Sequence, residues 1–233
     1  QAGTPVVSVE TEYDPDRKSF TVSLSQEIPP IAGQKSSKPA VIPLRFGLIG
    51  PNGEDMETGS VEGANVAGDV LVLDKAHQDV VFHNVAAAPV LSLLRGFSAP
   101  VRLNQPLHSE ELLFQAAQDR DPFNRWQAVQ TLAMQDLVRL AGLVRDGSEG
   151  TPSEDVIGVL ASVLGETQLD EALRAQALTL PSEADVAQEI GKDVNPDAIH
   201  TARQMLRRAV AARIASSLVP FITDQSSSGT FSP

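Results

Sequence analysis

The feature that most constrains this sequence is a change of hydrophobic period near Pro106. Before it, apolar residues recur in short runs at intervals of two, as Phe20, Val22 and Leu24 do in SFTVSLSQ. After it, they recur at intervals of three and four, as in DPFNRWQAVQTLAMQDLVRLAGLV. A period of two turns one face of a strand to a core, and a period of 3.6 turns one stripe of a helix to a core. The two halves therefore call for different layers, and the sequence predicts β-structure followed by α-structure. Its 233 residues suffice for one large domain or two modest ones.

From Thr4 to about Leu103 the sequence reads as strand and turn. VVSVETEY and SFTVSLSQ flank the turn DPDRK and form a hairpin with one buried face. The loop IPPIAGQKSSKP is too rich in Pro, Gly, Ser and Lys to pack. It leads to a third strand, VIPLRFGLIG, closed by the turn PNGED. GDVLVLDK and QDVVFHNV add two more strands, and APVRL reads as the last. Six or seven short strands in about 100 residues is the pattern of an immunoglobulin-like antiparallel β-sandwich, expected over residues 1–105.

Residues 106–233 are expected to be an α-helical segment, either armadillo/HEAT-like or a bundle. Helix starts are marked by residues that can satisfy free backbone N–H groups. Ser109 is the expected cap of SEELLFQAAQ, with Glu110 and Glu111 complementing the helix dipole. Asp121 followed by Pro122 opens the next helix. Thr151, Pro152 and Glu154 form a capping box before VIGVLASVL, and Thr167 with Asp170 starts a short helix in LDEALRAQAL. Asn195 and Pro196 open the last helix, and the tail TDQSSSGTFSP is polar and loose.

Composition narrows the function classes. A formal charge of -12 repels phosphate backbones and acidic membrane surfaces, and no basic stripe with interleaved aromatics appears, so nucleic acid and membrane are not expected partners. With no cysteine, a disulfide framework, a thiolate zinc site and a cysteine nucleophile all fall away, and the expected location is cytoplasmic. The opening QAGTPVVSVE has neither the basic nor the hydrophobic region of a signal peptide. A chain that starts at Gln1 and reaches a strand within a few residues is expected to be excised from something longer.

Motifs for chemistry are sparse. His77, His83, His108 and His200 include no HExxH pair, and His77 with His83 offers two ligands where zinc needs three or four. GFSAP begins like a nucleophile elbow around Ser98, but Pro100 stands where the second glycine is required. GQKSSK lacks the first glycine of a phosphate loop. The pairs Glu110–Glu111 and Glu154–Asp155 sit in first helical turns, where dipole interaction accounts for them. Arg203, Arg207 and Arg208 form a basic patch on the last helix, read as a solvated face or an anion or interdomain contact. Trp126, the one tryptophan, reads as core or domain-seam packing.

One junction mixes residue types oddly: PVLSLLRGFSAPVRL, followed by DPFNRW. Together with TPVVSVETEY, FTVSLSQ, IPLRFGLIG, ELLF and LTLPSE, in that order along the chain, these stretches resemble the aminopeptidase N (alanyl aminopeptidase) family of gluzincin zinc metallopeptidases. The resemblance implies a β-sandwich linker domain followed by the start of a large helical domain, with a thermolysin-like catalytic domain preceding both. That family's catalytic parts are an HExxH helix with a downstream glutamate and a GxMEN loop. Neither occurs here, so no catalytic and no metal residue can be carried over, and no cofactor is expected on this chain.

The resemblance further implies a parent that removes N-terminal amino acids from peptides through a zinc-activated water. The expected partners are then the catalytic domain and the remainder of the helical domain of the same chain, with peptides as substrate. In the junction, Leu93 and Leu94 anchor in the sandwich, Gly96 and Pro100 shape the backbone, and Arg95 and Phe97 face a neighbouring domain. Arg125 and Trp126 of DPFNRW are the further candidate interdomain contacts. The competing expectations are a free-standing protein-interaction module and, more weakly, a hydrolase using Ser98.

Overall fold

The computed structural model describes residues 3–29, 38–165 and 178–225. The chain divides into two compact units, Gln1–Arg125 and Trp126–Pro233. Among the described residues nine strands lie in the first: β1 Val6–Asp14, β2 Ser19–Glu27, β3 Ile42–Ile49, β4 Val61–Glu62, β5 Asn65–Ala67, β6 Val70–Leu73, β7 His77–His83, β8 Val90–Leu93 and β9 Arg102–Asn104. They form a five-stranded sheet in the order β4-β7-β2-β1-β9 and a four-stranded sheet in the order β5-β6-β3-β8. Five helices follow among the described residues: α1 Ser109–Gln118, α2 Pro122–Arg145, α3 Glu154–Gly165, α4 Glu183–Ile190 and α5 Pro196–Gln225. An Ig-like β-sandwich followed by a helical segment is therefore the fold.

The sandwich core follows from the alternation. In β2, Phe20, Val22 and Leu24 are buried, and they meet Val7 and Val9 of β1 and Val80 and Phe82 of β7 from the same sheet. Leu44, Leu71 and Leu91 come from the opposite sheet. The β1–β2 hairpin pairs without a break from Val6↔Glu27 to Asp14↔Ser19. Asp14 Oδ1 accepts the Asp16 and Arg17 N–H groups and so shapes the turn that DPDRK announces. One ladder departs from the antiparallel expectation, because β9 runs parallel to β1 over Val6–Ser8. A strand that arrives after the last crossover, at the sheet's free edge, is not bound to the hairpin direction.

Strand β8 was not expected as a strand, since VLSL is short and merges into LLRGF. Its neighbour β3 alternates only as far as Phe46, and from Gly47 to Gly50 every residue is buried. Loss of alternation means that both faces are covered. Ile49 is 1% exposed yet lies outside the sandwich core, and α1 packs against β8.

In the second unit the buried apolar residues of α2 fall at 128, 129, 132, 133, 137, 140 and 141, the stripe that the 3.6 period demands. Ile157 and Leu160 of α3 and Ile199, Ala202 and Leu206 of α5 supply further core, and α5 packs with both α3 and α4. Asn195 caps α5 as expected, its Oδ1 accepting the Ala198 N–H at 3.1 Å.

Two caps differ from the sequence reading. Helix α1 is capped at His108, whose N–H donates to Glu111 Oε2 at 2.8 Å, and Ser109 is its first helical residue. Helix α3 starts at Glu154, and the Thr151 capping box does not form. Asp136 of α2 instead accepts the Ser153 N–H at 3.0 Å, and Arg139 donates to the Thr151 carbonyl at 2.7 Å. A distant acidic side chain has replaced the local cap. Helix α4 carries an unexpected capping box, Ser182 with Asp185 in place of the usual glutamate. The helix expected at Thr167–Asp170 lies outside the described residues, as do the tail from residue 226 onward and all of GQKSSK except Lys38.

Candidate functional site

The junction stretch leaves β8 at Leu93 and turns at once. Leu94 (φ 58°), Gly96 (φ 62°) and Phe97 (φ 54°) all take left-handed backbone, with the 3-10 turn Arg95–Phe97 between them. Glycine adopts this freely, but for Leu94 and Phe97 it costs about 1–2 kcal/mol each, because Cβ crowds the carbonyl oxygen. Something must hold the turn in place.

Arg95 does much of that. Its Nη1 and Nη2 donate to the two oxygens of Asp55 at 2.7 and 2.9 Å, a bidentate pair, and Nη2 also reaches Asp119 Oδ1 at 3.1 Å. Its Nε donates to Ser92 Oγ at 2.9 Å. The guanidinium lies flat over Gly47 of β3, where an added Cβ would fall 2.1 Å from Cζ. Gly47 and Ser92 are register partners on β3 and β8, so the arginine covers the outer face of the smaller sheet. Its side chain is 11% exposed. Burial works against the charge, but the Asp55 hydrogen bond and the fields of Asp119, Asp55 and Asp121 outweigh it, and the pKa is raised above the usual arginine value.

Asp119, at the end of α1, is a fully buried carboxylate with every need met. Oδ1 accepts from Arg95 and from the Asp121 N–H at 2.9 Å, and Oδ2 accepts from Gln115 Nε2 at 3.1 Å. Asp121 Oδ1 accepts the Phe123 and Asn124 N–H groups at 3.1 and 2.9 Å, capping α2 as its sequence position predicts. Its Oδ2 accepts the Gly96 N–H at 2.8 Å. Asn124 Nδ2 donates to Ser92 Oγ and to the Leu93 carbonyl, each at 2.8 Å. Gln105 Nε2 donates to the Leu91 carbonyl at 2.8 Å. Side-chain amides thereby occupy part of the β8 edge, which would otherwise invite another strand.

The four candidate contacts fall in different settings. Arg95 is paired within the first unit. Phe97 is 66% exposed, its ring centroid 3.9 Å from that of Phe123. Arg125 Nε donates to the Ala116 carbonyl at 3.2 Å, satisfying the end of α1, and the half-buried Trp126 opens the second unit. Sequence reasoning did not single out Gly47, Asp55, Asp119 or Asn124. The acids of PNGED and QDRDPFN, facing an arginine in an apolar run, were the available signal.

The other motifs have quieter roles. Ser98 Oγ accepts the Arg45 N–H at 2.9 Å and fastens the turn to β3. Arg203 donates to the Pro181 carbonyl at 2.7 Å ahead of α4, while Arg207 and Arg208 are exposed. Glu154 pairs with Arg213. His77 and His83 share a face of β7, but at about 3.3 Å per residue they stand roughly 20 Å apart, too far for one metal ion. Among the described residues no three His, Cys, Asp or Glu side chains gather as metal ligands, so these residues do not fit the zinc that the resemblance implies for the parent. Among them, too, no helix is long and apolar enough to cross a membrane.

Comparison with known proteins gives this geometry its context. Residues 3–106 match the family described as Domain of unknown function (DUF3458) Ig-like fold, and residues 109–233 match Domain of unknown function (DUF3458_C) ARM repeats. The chain is 32% identical over 219 residues to aminopeptidase N of Escherichia coli (strain K12), covering 94% of this chain and 25% of that protein. It is 35% identical over 236 residues to aminopeptidase N of Caulobacter vibrioides, covering 100% and 25%. The crystal structure of Legionella pneumophila aminopeptidase A in complex with aspartic acid is similar with a TM-score of 0.70 at 24% identity, over all of this chain and 25% of that one, a likeness of fold alone. The chain spans about a quarter of the length of the curated relatives it matches. It therefore belongs to the DUF3458_C family of ARM repeats, with the Ig-like DUF3458 match ahead of it over residues 3–106, and both lie in the region that aligns with aminopeptidase N.

Proposed function

We propose that this chain is a non-catalytic structural portion of a zinc aminopeptidase that removes N-terminal amino acids from peptides. The observation that carries this reading is the alignment of nearly the whole chain with a quarter of each aminopeptidase N relative. Within it, residues 1–105 form the linker sandwich and residues 106–233 the beginning of the helical domain. The partners are the catalytic domain and the remaining helices of the same chain, and the zinc belongs to that catalytic domain. The sandwich and helices support the catalytic domain and partly cover it, limiting which substrates enter. A cytoplasmic setting belongs to the same proposal, and a chain without cysteine agrees with it.

Of the candidate contacts, Phe97 is supported by its exposure, since a large aromatic surface at a rigid turn suits docking against apolar protein surface. Arg95 contributes by holding the turn that carries Phe97, Arg125 by closing the end of α1 through the Ala116 carbonyl, and Trp126 is the fourth proposed contact. The test is to read the source gene upstream of the Gln1 codon and assay its full-length product on an aminoacyl anilide. Zinc-dependent release of the amino acid by the full-length product, and none by the 233-residue chain, is the expected result. A full-length product without this hydrolysis, or hydrolysis by the 233-residue chain alone, overturns the proposal.

A further inference from the structure

Asp121 makes two sets of hydrogen bonds that ordinarily belong to different residues. A helix cap uses one oxygen, and Oδ1 fills that role for Phe123 and Asn124. The second oxygen of a capping aspartate usually faces water. Here Oδ2 holds the Gly96 N–H at 2.8 Å, in the middle of the left-handed turn. Asp121 is itself held from behind, since its backbone N–H donates to Asp119 Oδ1 at 2.9 Å. Within the turn, the Phe97 N–H bonds back to the Leu94 carbonyl at 3.0 Å, so Gly96 has Asp121 as its outside support.

We propose that Asp121 is a two-handed clasp, a positioning residue that makes the start of α2 and the strained turn carrying Phe97 one cooperative unit, opening and closing together. The geometry supplies the reason. Leu94 and Phe97 would relax out of the left-handed region without outside restraint, and Phe97 would then leave the face of Phe123. The same carboxylate that orders the first turn of α2 places Phe123 beneath Phe97. Formation of the helix start and presentation of the ring are thus linked through one side chain. This holds whether or not the chain serves an aminopeptidase.

Amide hydrogen exchange on the full chain tests it. In the parent sequence the Gly96 and Asn124 amides should exchange with the same opening free energy. Asp121→Ser keeps one oxygen to cap α2 but has none left for Gly96, and Asp121→Asn keeps a single accepting oxygen. In both variants Gly96 should exchange about ten- to a hundredfold faster, as expected for losing a hydrogen bond to a charged acceptor, while in Asp121→Ser the Asn124 amide stays protected. The Phe97 ring protons should move toward their disordered shifts in the same variants. Unequal opening in the parent, or Gly96 exchange unchanged in either variant, overturns the proposal. So does global unfolding of the first unit in both variants, because the clasp costs the fold one hydrogen bond and not its core.

Discussion

The hydrogen atom that serves glycine 47 for a side chain decides whether Arg95 can lie where it does. A methyl group there would collide with the guanidinium at 2.1 Å, so the head group of Arg95 must move off the sheet. Gly47→Ala should therefore expel Arg95 and leave Asp119, which is fully buried, without its cation. Removing one partner of a buried pair in this way is expected to destabilise the first unit by about 3 kcal/mol, read as a lowered urea midpoint at constant slope. Once Arg95→Met is in place, Gly47→Ala should cost much less, and a double-mutant cycle measures that coupling. Arg95→Lys should not rescue the site, since an ammonium cannot span both Asp55 oxygens while bonding Ser92 and Asp119.

Elements in the second unit are joined by capping groups whose titration can be followed. In α4 the Asp185 carboxyl is held below the ordinary carboxylate range, first by the Ser182 hydroxyl and then by the Ser182 N–H. A folded pKa below the unfolded one means that stability from this cap is fully present above the unfolded value, near pH 4, and is lost as pH falls through the folded value. Relative to their intrinsic exchange rates, amides of the first α4 turn should thus keep constant protection from neutral pH down to about pH 5 and lose it in more acid solution, and Asp185→Asn should remove that dependence. The start of α3 depends instead on Asp136, whose side chain is 3% exposed and which binds Arg139 and the Ser153 N–H. Asp136→Ala should destabilise the α2–α3 connection by about 2–3 kcal/mol, seen as faster exchange at Ile157 with the sandwich unchanged.

At the scale of the whole molecule each compact unit carries a largely aliphatic core, as an aromatic content of 4% requires. In the sandwich Phe46 packs against Phe82, with ring centroids 5.2 Å apart. Phe82→Ala should cost the first unit about 3–5 kcal/mol, and Leu140→Ala should cost the second about 2–5 kcal/mol, each measured by exchange of that unit's own slowest amides. Each loss is cavity formation around a side chain with 0% exposure.

The sequence by itself determined the change from strands to helices, the hairpin from Val6 to Glu27, the α2 cap at Asp121 and the α5 cap at Asn195, because each depends on side-chain period or on groups three residues apart. It also marked LLRGFSAPVRL and DPFNRW as unusual. Only the tertiary structure decided what those stretches do: Arg95 meets Asp55, 40 residues away along the chain, over Gly47 and beside Ser92, and Asp119 at the end of α1 and Asn124 of α2 join them. The same reason explains the missed strand β8 and the α3 start at Glu154, which rest on β3 and on Asp136, partners that no local window contains. Period and capping are local physics and can be read from neighbours in sequence, whereas pairing of a buried charge is settled by whichever group folding brings into reach.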